Sequence, residues 1–173
     1  MDDSVRRALV RWPDVPHCYG WLSLDRAGRW RLQNEIVRHH GLADFIARNY
    51  LNDDAGRWFF QNGPQRAYVR LDYTPWILRT DADGSLRTHA GGRFDSPEAA
   101  WLDEDGNLLI SGPLGVGLVH GHDLVALADA IRAPEGDEPG ELALAGGSLA
   151  ILPIISTDVP RRFGFQQDPQ PTA

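Results

Sequence analysis

The feature that most constrains this chain is a short pattern that returns along it: an Asp, two residues, a Gly, then apolar residues at alternate positions. It occurs at Asp25–Gly28 before Trp30 and Leu32, and at Asp53–Gly56 before Trp58 and Phe60. It returns at Asp81–Gly84 before Leu86, at Asp103–Gly106 before Leu108 and Ile110, and at Asp137–Gly140 before Leu142 and Leu144. An Asp side chain bonds the backbone two residues on, and Gly takes a positive φ without a Cβ clash. Each copy therefore reads as a turn feeding a strand with period-2 alternation. Antiparallel sheet is the dominant element.

Two helical segments interrupt the strands. Residues 41–51 place Leu42, Phe45, Ile46 and Tyr50 on one face, and residues 121–132 place Leu124, Leu127, Ala128 and Ile131 likewise. Asp123 is positioned to cap the second helix and Arg132 to sit at its C-terminal end. Hairpin turns are expected at Asn62-Gly63 and Gly146-Gly147, at matching places in the two halves. The fold class is α+β, a duplication of strand–strand–helix–strand–strand units, packed into one body. The expected organisation is a first unit over residues 1–90 (core 20–80), a linker at 91–97, a second unit over 98–165 and a disordered tail at 166–173.

Charge follows this division. Residues 1–93 carry 14 Arg against 11 acids, +3, while residues 94–173 carry 3 Arg against 13 acids, −10. All 17 basic residues are Arg, an absence of Lys best read as codon bias. The net −7 speaks against a nucleic-acid partner. No apolar run approaches the roughly eighteen residues of a membrane span, and the acidic start leads into no signal-like segment. A single Cys suits a reducing, cytoplasmic setting.

Residues of the first half resemble a bacterial family known as domain of unknown function 1285. The resemblance rests on Gly28-x-Trp30, Ile36-x-Arg38, Leu42-x-x-Phe45 and the run Tyr68–Trp76, and covers about residues 20–80. It departs at Gln61–Gln65 and at one extra residue before Leu42, and the alternative is a separate family that shares the fold. It implies a duplicated α+β arrangement and a ligand-binding or signalling role, with binding between the repeats. It carries over no catalytic residues.

An EF-hand has an acid five residues before its Gly and a Glu six residues after it. Around Gly106 those ends fall on Trp101 and Gly112, and around Gly84 on Arg79 and Ala90. These are hairpin turns. His120 and His122 are the metal candidates, with no spacing that signals a third ligand. His17-Cys18 reads as an incidental pair, and the glycines at 112–117 lack the ending of a phosphate loop. No carboxylate pair is selected for catalysis, and no cofactor is implied.

The basic and aromatic group is more informative. Alternation along residues 66–73 puts Arg66, Tyr68, Arg70 and Asp72 on one face. Arg29, Arg31 and Arg57 belong to neighbouring strands. The bland alternative is a solvated face whose arginines pair with nearby acids. The leading expectation is a cytoplasmic, non-enzymatic module that binds a small anion or signals. Arg66, Arg70 and Arg38 would meet charge, and Tyr68 or Trp76 would wall the pocket, where the halves meet. One alternative is a protein-interaction module or homodimer using the acidic second half. Another is a hydrolase or transferase without a recognisable motif.

Overall fold

Residues 1–11, 15–133 and 140–171 are described by the computed structural model. Their packing divides the chain into two units, Met1–Tyr73 with Gly164–Ala173, and Thr74–Phe163.

The Asp turns form as the local chemistry dictates. One carboxylate oxygen of Asp25 accepts the backbone N–H groups of Ala27 and Arg29 at 3.0 and 2.9 Å, and the other accepts Arg29 Nε at 2.8 Å. Asp53 repeats this with the N–H groups of Ala55 and Arg57 and with Arg57 Nε at 2.9 Å. Asp103 does so with Asp105 and Asn107, the Asn amide replacing the guanidinium. In the Asp81 turn Asp83 takes the N–H of Ser85, which frees Asp81 to bond Arg87. The turn glycines Gly28, Gly56, Gly84 and Gly106 all have φ between +71° and +79°. The turn expected at Asp137 lies outside the described residues.

In the first unit these turns organise α1 (Asp3–Arg11), β1 (Cys18–Leu24), β2 (Trp30–Leu32), β3 (Glu35–Ile36), α2 (His40–Arg48), β4 (Tyr50–Asn52), β5 (Trp58–Asn62) and β6 (Gln65–Leu71). The sheet order is β3-β2-β1-β6-β5-β4. Neighbours run antiparallel except β1 and β6, which are parallel. One face is aromatic: Tyr50 packs on Trp30 and Trp58, and Phe60 meets Phe45 of α2 edge-on at 5.4 Å. Ile46 of α2 is buried with them. Register puts Phe59, Tyr68, Arg70 and Ser23 on the opposite face.

The second unit contains β7 (Trp76–Thr80), β8 (Leu86–Thr88), β9 (Ala99–Leu102), β10 (Leu108–Gly112), β11 (Gly115–Val119), α3 (Gly121–Leu127), β12 (Ile131–Arg132), β13 (Gly140–Leu144), β14 (Gly147–Pro153) and α4 (Val159–Phe163). Its order, β12-β13-β14-β9-β10-β11-β7-β8, is that of the first sheet with a hairpin added at β11. The central pair β9 and β14 is again parallel. The α+β duplication is therefore present strand for strand. Its core gathers Leu78, Phe94, Leu108, Ile110, Val119 and Leu142.

Several expectations need correction. The hairpin Trp76–Thr88, assigned by sequence to the first unit, pairs into the second sheet. Thr74 Oγ1 accepts the N–H of Leu118 at 3.0 Å and donates to Trp76 O, starting β7 alongside β11. Of the tail expected to be disordered, residues 166–171 are docked instead. Gln166 N donates to Gly56 O at 2.9 Å and Leu71 N to Gln167 O at 2.7 Å, with Phe165 and Pro169 buried. Both helices stop early: Tyr50 and Leu51 pair in β4, and Ile131 and Arg132 in β12. His120, not Asp123, caps α3, because Asp123 is bonded to Thr80 N and Arg79. The β5–β6 hairpin turns one residue later than expected, at Gly63-Pro64, since Asn62 pairs with Gln65. Gly63 at φ +57° followed by proline's fixed negative φ suits a type II′ loop. Likewise Leu144 pairs with Gly147, which moves the second hairpin loop to Ala145-Gly146.

Burial pushes the Asp53 carboxyl up, but the Arg57 N–H and guanidinium and the Tyr68 hydroxyl outweigh it and hold the group below the ordinary 3.8. A depressed folded pKa stabilises above the unfolded value and is lost as pH falls through the folded one. Asp53→Asn should therefore be less stable than wild type at neutral pH by about 1–3 kcal/mol, with the gap closing below about pH 4 in urea titrations. A Cβ on Gly56 would collide with the Gly164 carbonyl oxygen, whereas one on Gly106 meets open space. Gly106→Ala should cost only the left-handed strain, about 1–2 kcal/mol. Gly56→Ala should cost more and also speed amide exchange at Gln166, readable by NMR.

Candidate functional site

The parallel seam of the first sheet is irregular. Cys18 pairs with Ala67 and Leu22 with Val69, so Tyr19, Gly20 and Trp21 stand opposite the single residue Tyr68. Gly20 permits this with φ +73°. A bulge of this kind re-aims side chains and interrupts pairing. The equivalent seam between β9 and β14 pairs three consecutive residues without interruption. In the first unit, by contrast, Trp21 is left 53% exposed.

A cleft of about 450 Å³ opens at the bulge, lined by Tyr19, Trp21, Ser23, Asn34, Arg70 and the C-terminal residues Asp168, Gln170 and Pro171. Each lining group has a local cause. Asn34 occupies the β2–β3 turn, where Gln33 and Asn34 both take positive φ, the signature of a type I′ hairpin. Arg70 lies beside Ser23 in register. Its side chain is 48% exposed, and its ion pair with Asp72 is loose, 3.8 Å from nitrogen to oxygen. That distance is too long for a hydrogen bond, so the guanidinium can still donate to a ligand. The tail is brought to the cleft by the backbone bonds of Gln166 and Gln167.

Across the seam from the bulge, at Tyr68, sits a polar cluster. Tyr68, 2% exposed, donates its hydroxyl to Asp53 at 3.2 Å, and its ring stacks on Tyr19 at 4.6 Å. Arg57 lies over the same ring, and His17 meets it edge-on. Burial pushes the Tyr19 phenol up, with Tyr68 adding to the shift. Burial and the positive charges of Arg66 and Arg57 lower His17.

The residues singled out by sequence have different fates. Arg66, Tyr68 and Arg70 lie along one face of β6, but only Arg70 lines the cleft. Arg66 stacks over Phe59 at 4.5 Å. Arg38 is exposed before α2, outside the lining. Trp76 belongs to the second unit and donates its indole N–H to Leu114 O at 2.8 Å. Arg29 and Arg31 bond Asp25, and Arg57 bonds Asp53, as the bland reading of this face expected. His120 accepts the N–H of His122 at its own helix start. Among the described residues no group of three or more His, Cys, Asp or Glu is placed to hold a metal ion. Sequence reasoning missed Trp21, Asn34 and Asp168. An isolated Gly20 inside an apolar strand was the available signal for the first.

A family model described as "Protein of unknown function (DUF2946)" matches residues 1–170. No curated protein matches the chain. The fold is similar to that of a DUF1285 family protein from Silicibacter pomeroyi, at 14% identity and TM-score 0.56, covering 82% of this chain and 85% of that one. A DUF1285 family protein from Shewanella baltica aligns at 13% identity and TM-score 0.47, over 63% of this chain and 91% of that one. Among the described residues no helix is long and apolar enough to cross a membrane.

His17 should titrate below the ordinary 6.5 in an NMR pH series, and Arg66→Ala should move its midpoint up by removing a repelling charge. An unmoved midpoint would leave burial and the Arg57 charge as the causes.

Proposed function

We propose that this chain, which belongs to the family of proteins of unknown function whose model matches residues 1–170, is a non-enzymatic module that binds a small anionic ligand in the cleft of its first unit. The observation that carries this reading is the half-exposed Arg70 guanidinium, held beside a half-exposed Trp21 in the same cleft. An Arg fork suits a carboxylate or phosphate, and an indole face suits a flat apolar body. The cleft lies within the size range of small-molecule sites, about 300–1,000 Å³. Ser23 and Asn34 supply neutral hydrogen-bonding groups at the same opening.

Arg66 and Tyr68 lie outside the lining of the cleft and do not contact the ligand. Arg66 covers Phe59, and Tyr68 carries the Tyr19 ring that forms part of the lining. Trp76 and Arg38 have no part in this cleft. A cytoplasmic location, where one cysteine stays reduced, and a signalling output triggered by ligand belong to the same proposal.

The test is calorimetric titration of the full chain with 3-phenylpropionate, an anion with a flat apolar body. Wild type and Arg66→Ala should bind it saturably, and Arg70→Ala should bind it at least about tenfold more weakly, the usual worth of a charged hydrogen bond. Equal binding by wild type and Arg70→Ala, or no binding by wild type, rejects the site.

A further inference from the structure

The cleft holds charges of both signs. Arg70 reaches it from β6, and Asp168 reaches it from the docked C-terminal segment. They do not neutralise each other: among the described residues the acid paired with Arg70 is Asp72, at 3.8 Å. Asp168 is exposed and lines this cleft, and its backbone carbonyl accepts Gln170 Nε2 at 3.4 Å.

A ligand carrying only negative charge would gain Arg70 but stand in the field of Asp168. A cation would meet the converse. A molecule with separated charges of both signs satisfies both groups, and its apolar part has Trp21 to lie against. Resting on the reading of this cleft as an anion site, we infer that its ligand is a zwitterion of the α-amino acid class. Arg70 takes the carboxylate, Asp168 takes the ammonium, and Trp21 covers the side chain.

Asp168 is then the specificity-determining residue. Its position follows from tertiary structure: the segment is pinned where Leu71 N donates to Gln167 O, next in the chain to Arg70 on β6 and to Asp168 on the tail. That bond sets the two charged residues at the same opening without bringing them into contact. Discrimination here comes from a group that penalises the wrong ligand as well as one that attracts the right one.

Three probes of one shape separate the contributions: L-phenylalanine, 3-phenylpropionate and phenethylamine, titrated into the full chain by calorimetry. Wild type should bind L-phenylalanine at least about tenfold more tightly than 3-phenylpropionate, which lacks the ammonium, and more tightly again than phenethylamine. Asp168→Asn should erase the preference for L-phenylalanine over 3-phenylpropionate while retaining the latter. Arg70→Ala should weaken both. If 3-phenylpropionate binds in an Arg70-dependent way but L-phenylalanine binds no more tightly, the zwitterion assignment falls and the anion site stands. The same holds if Asp168→Asn leaves their ratio unchanged. If neither carboxylate binds wild type, the anion site itself falls.

Discussion

The structure depends on one side chain used in one way: an Asp carboxylate at the head of a turn that gathers donors from the next four residues. Asp25 takes two backbone N–H groups on one oxygen and the Arg29 guanidinium on the other, and Asp53 and Asp103 do the same with Arg57 and Asn107. Asp25 is only 4% exposed. Burying a carboxylate there is costly unless it is fully bonded, and these contacts meet that requirement. A turn closed so completely sets the register of the two strands it joins. Register in turn decides which residues meet the core, because a slip of one residue exchanges the faces.

From this follows the repeated architecture. Each unit has two three-stranded antiparallel meanders that meet in a parallel pair, and the second sheet adds the β7–β8 hairpin at one edge. The helix between the meanders makes that pairing parallel, since a chain that crosses over a helix arrives at the seam in the direction in which it left. The two copies then diverge at the seam. In the second, β9 and β14 pair without interruption. In the first, three residues of β1 face one of β6, and the strain of the mismatch is taken up by Gly20. The candidate site lies on the irregular copy, where the backbone presents groups that a regular sheet would have paired or covered.

Much of the fold was legible in the residues. The Asp-x-x-Gly turns, the alternation after them and the matching element order carry an α+β duplication without any tertiary information. The helix ends were not legible. Tyr50 and Ile131 continue an apolar helical pattern, and only the pairing of Tyr50 with Phe60 and of Ile131 with Leu142 takes them into strands. The docking of residues 166–171 was not legible for a related reason. Their polar, Pro-rich composition lacks an apolar face, yet they dock through backbone bonds to Gly56 and Leu71, which composition does not encode. Of the candidate site residues, Arg70 came from strand alternation. Trp21, Asn34 and Asp168 are far apart in sequence and converge only in the folded unit.

The sequence by itself determined the local geometry: where the chain turns, which stretches extend, and that one half carries the arginines. Those properties depend on neighbours within about four residues, the reach of an Asp side chain or a glycine φ. Only the tertiary structure decided which arginines remained available. Arg29, Arg31 and Arg57 are held by turn aspartates and Arg66 lies over Phe59, while the bulge and the returning tail leave Arg70 at an open cleft beside Asp168. The physical reason is that a charge is defined by its partners, and these partners come from strands and segments that sequence distance keeps apart.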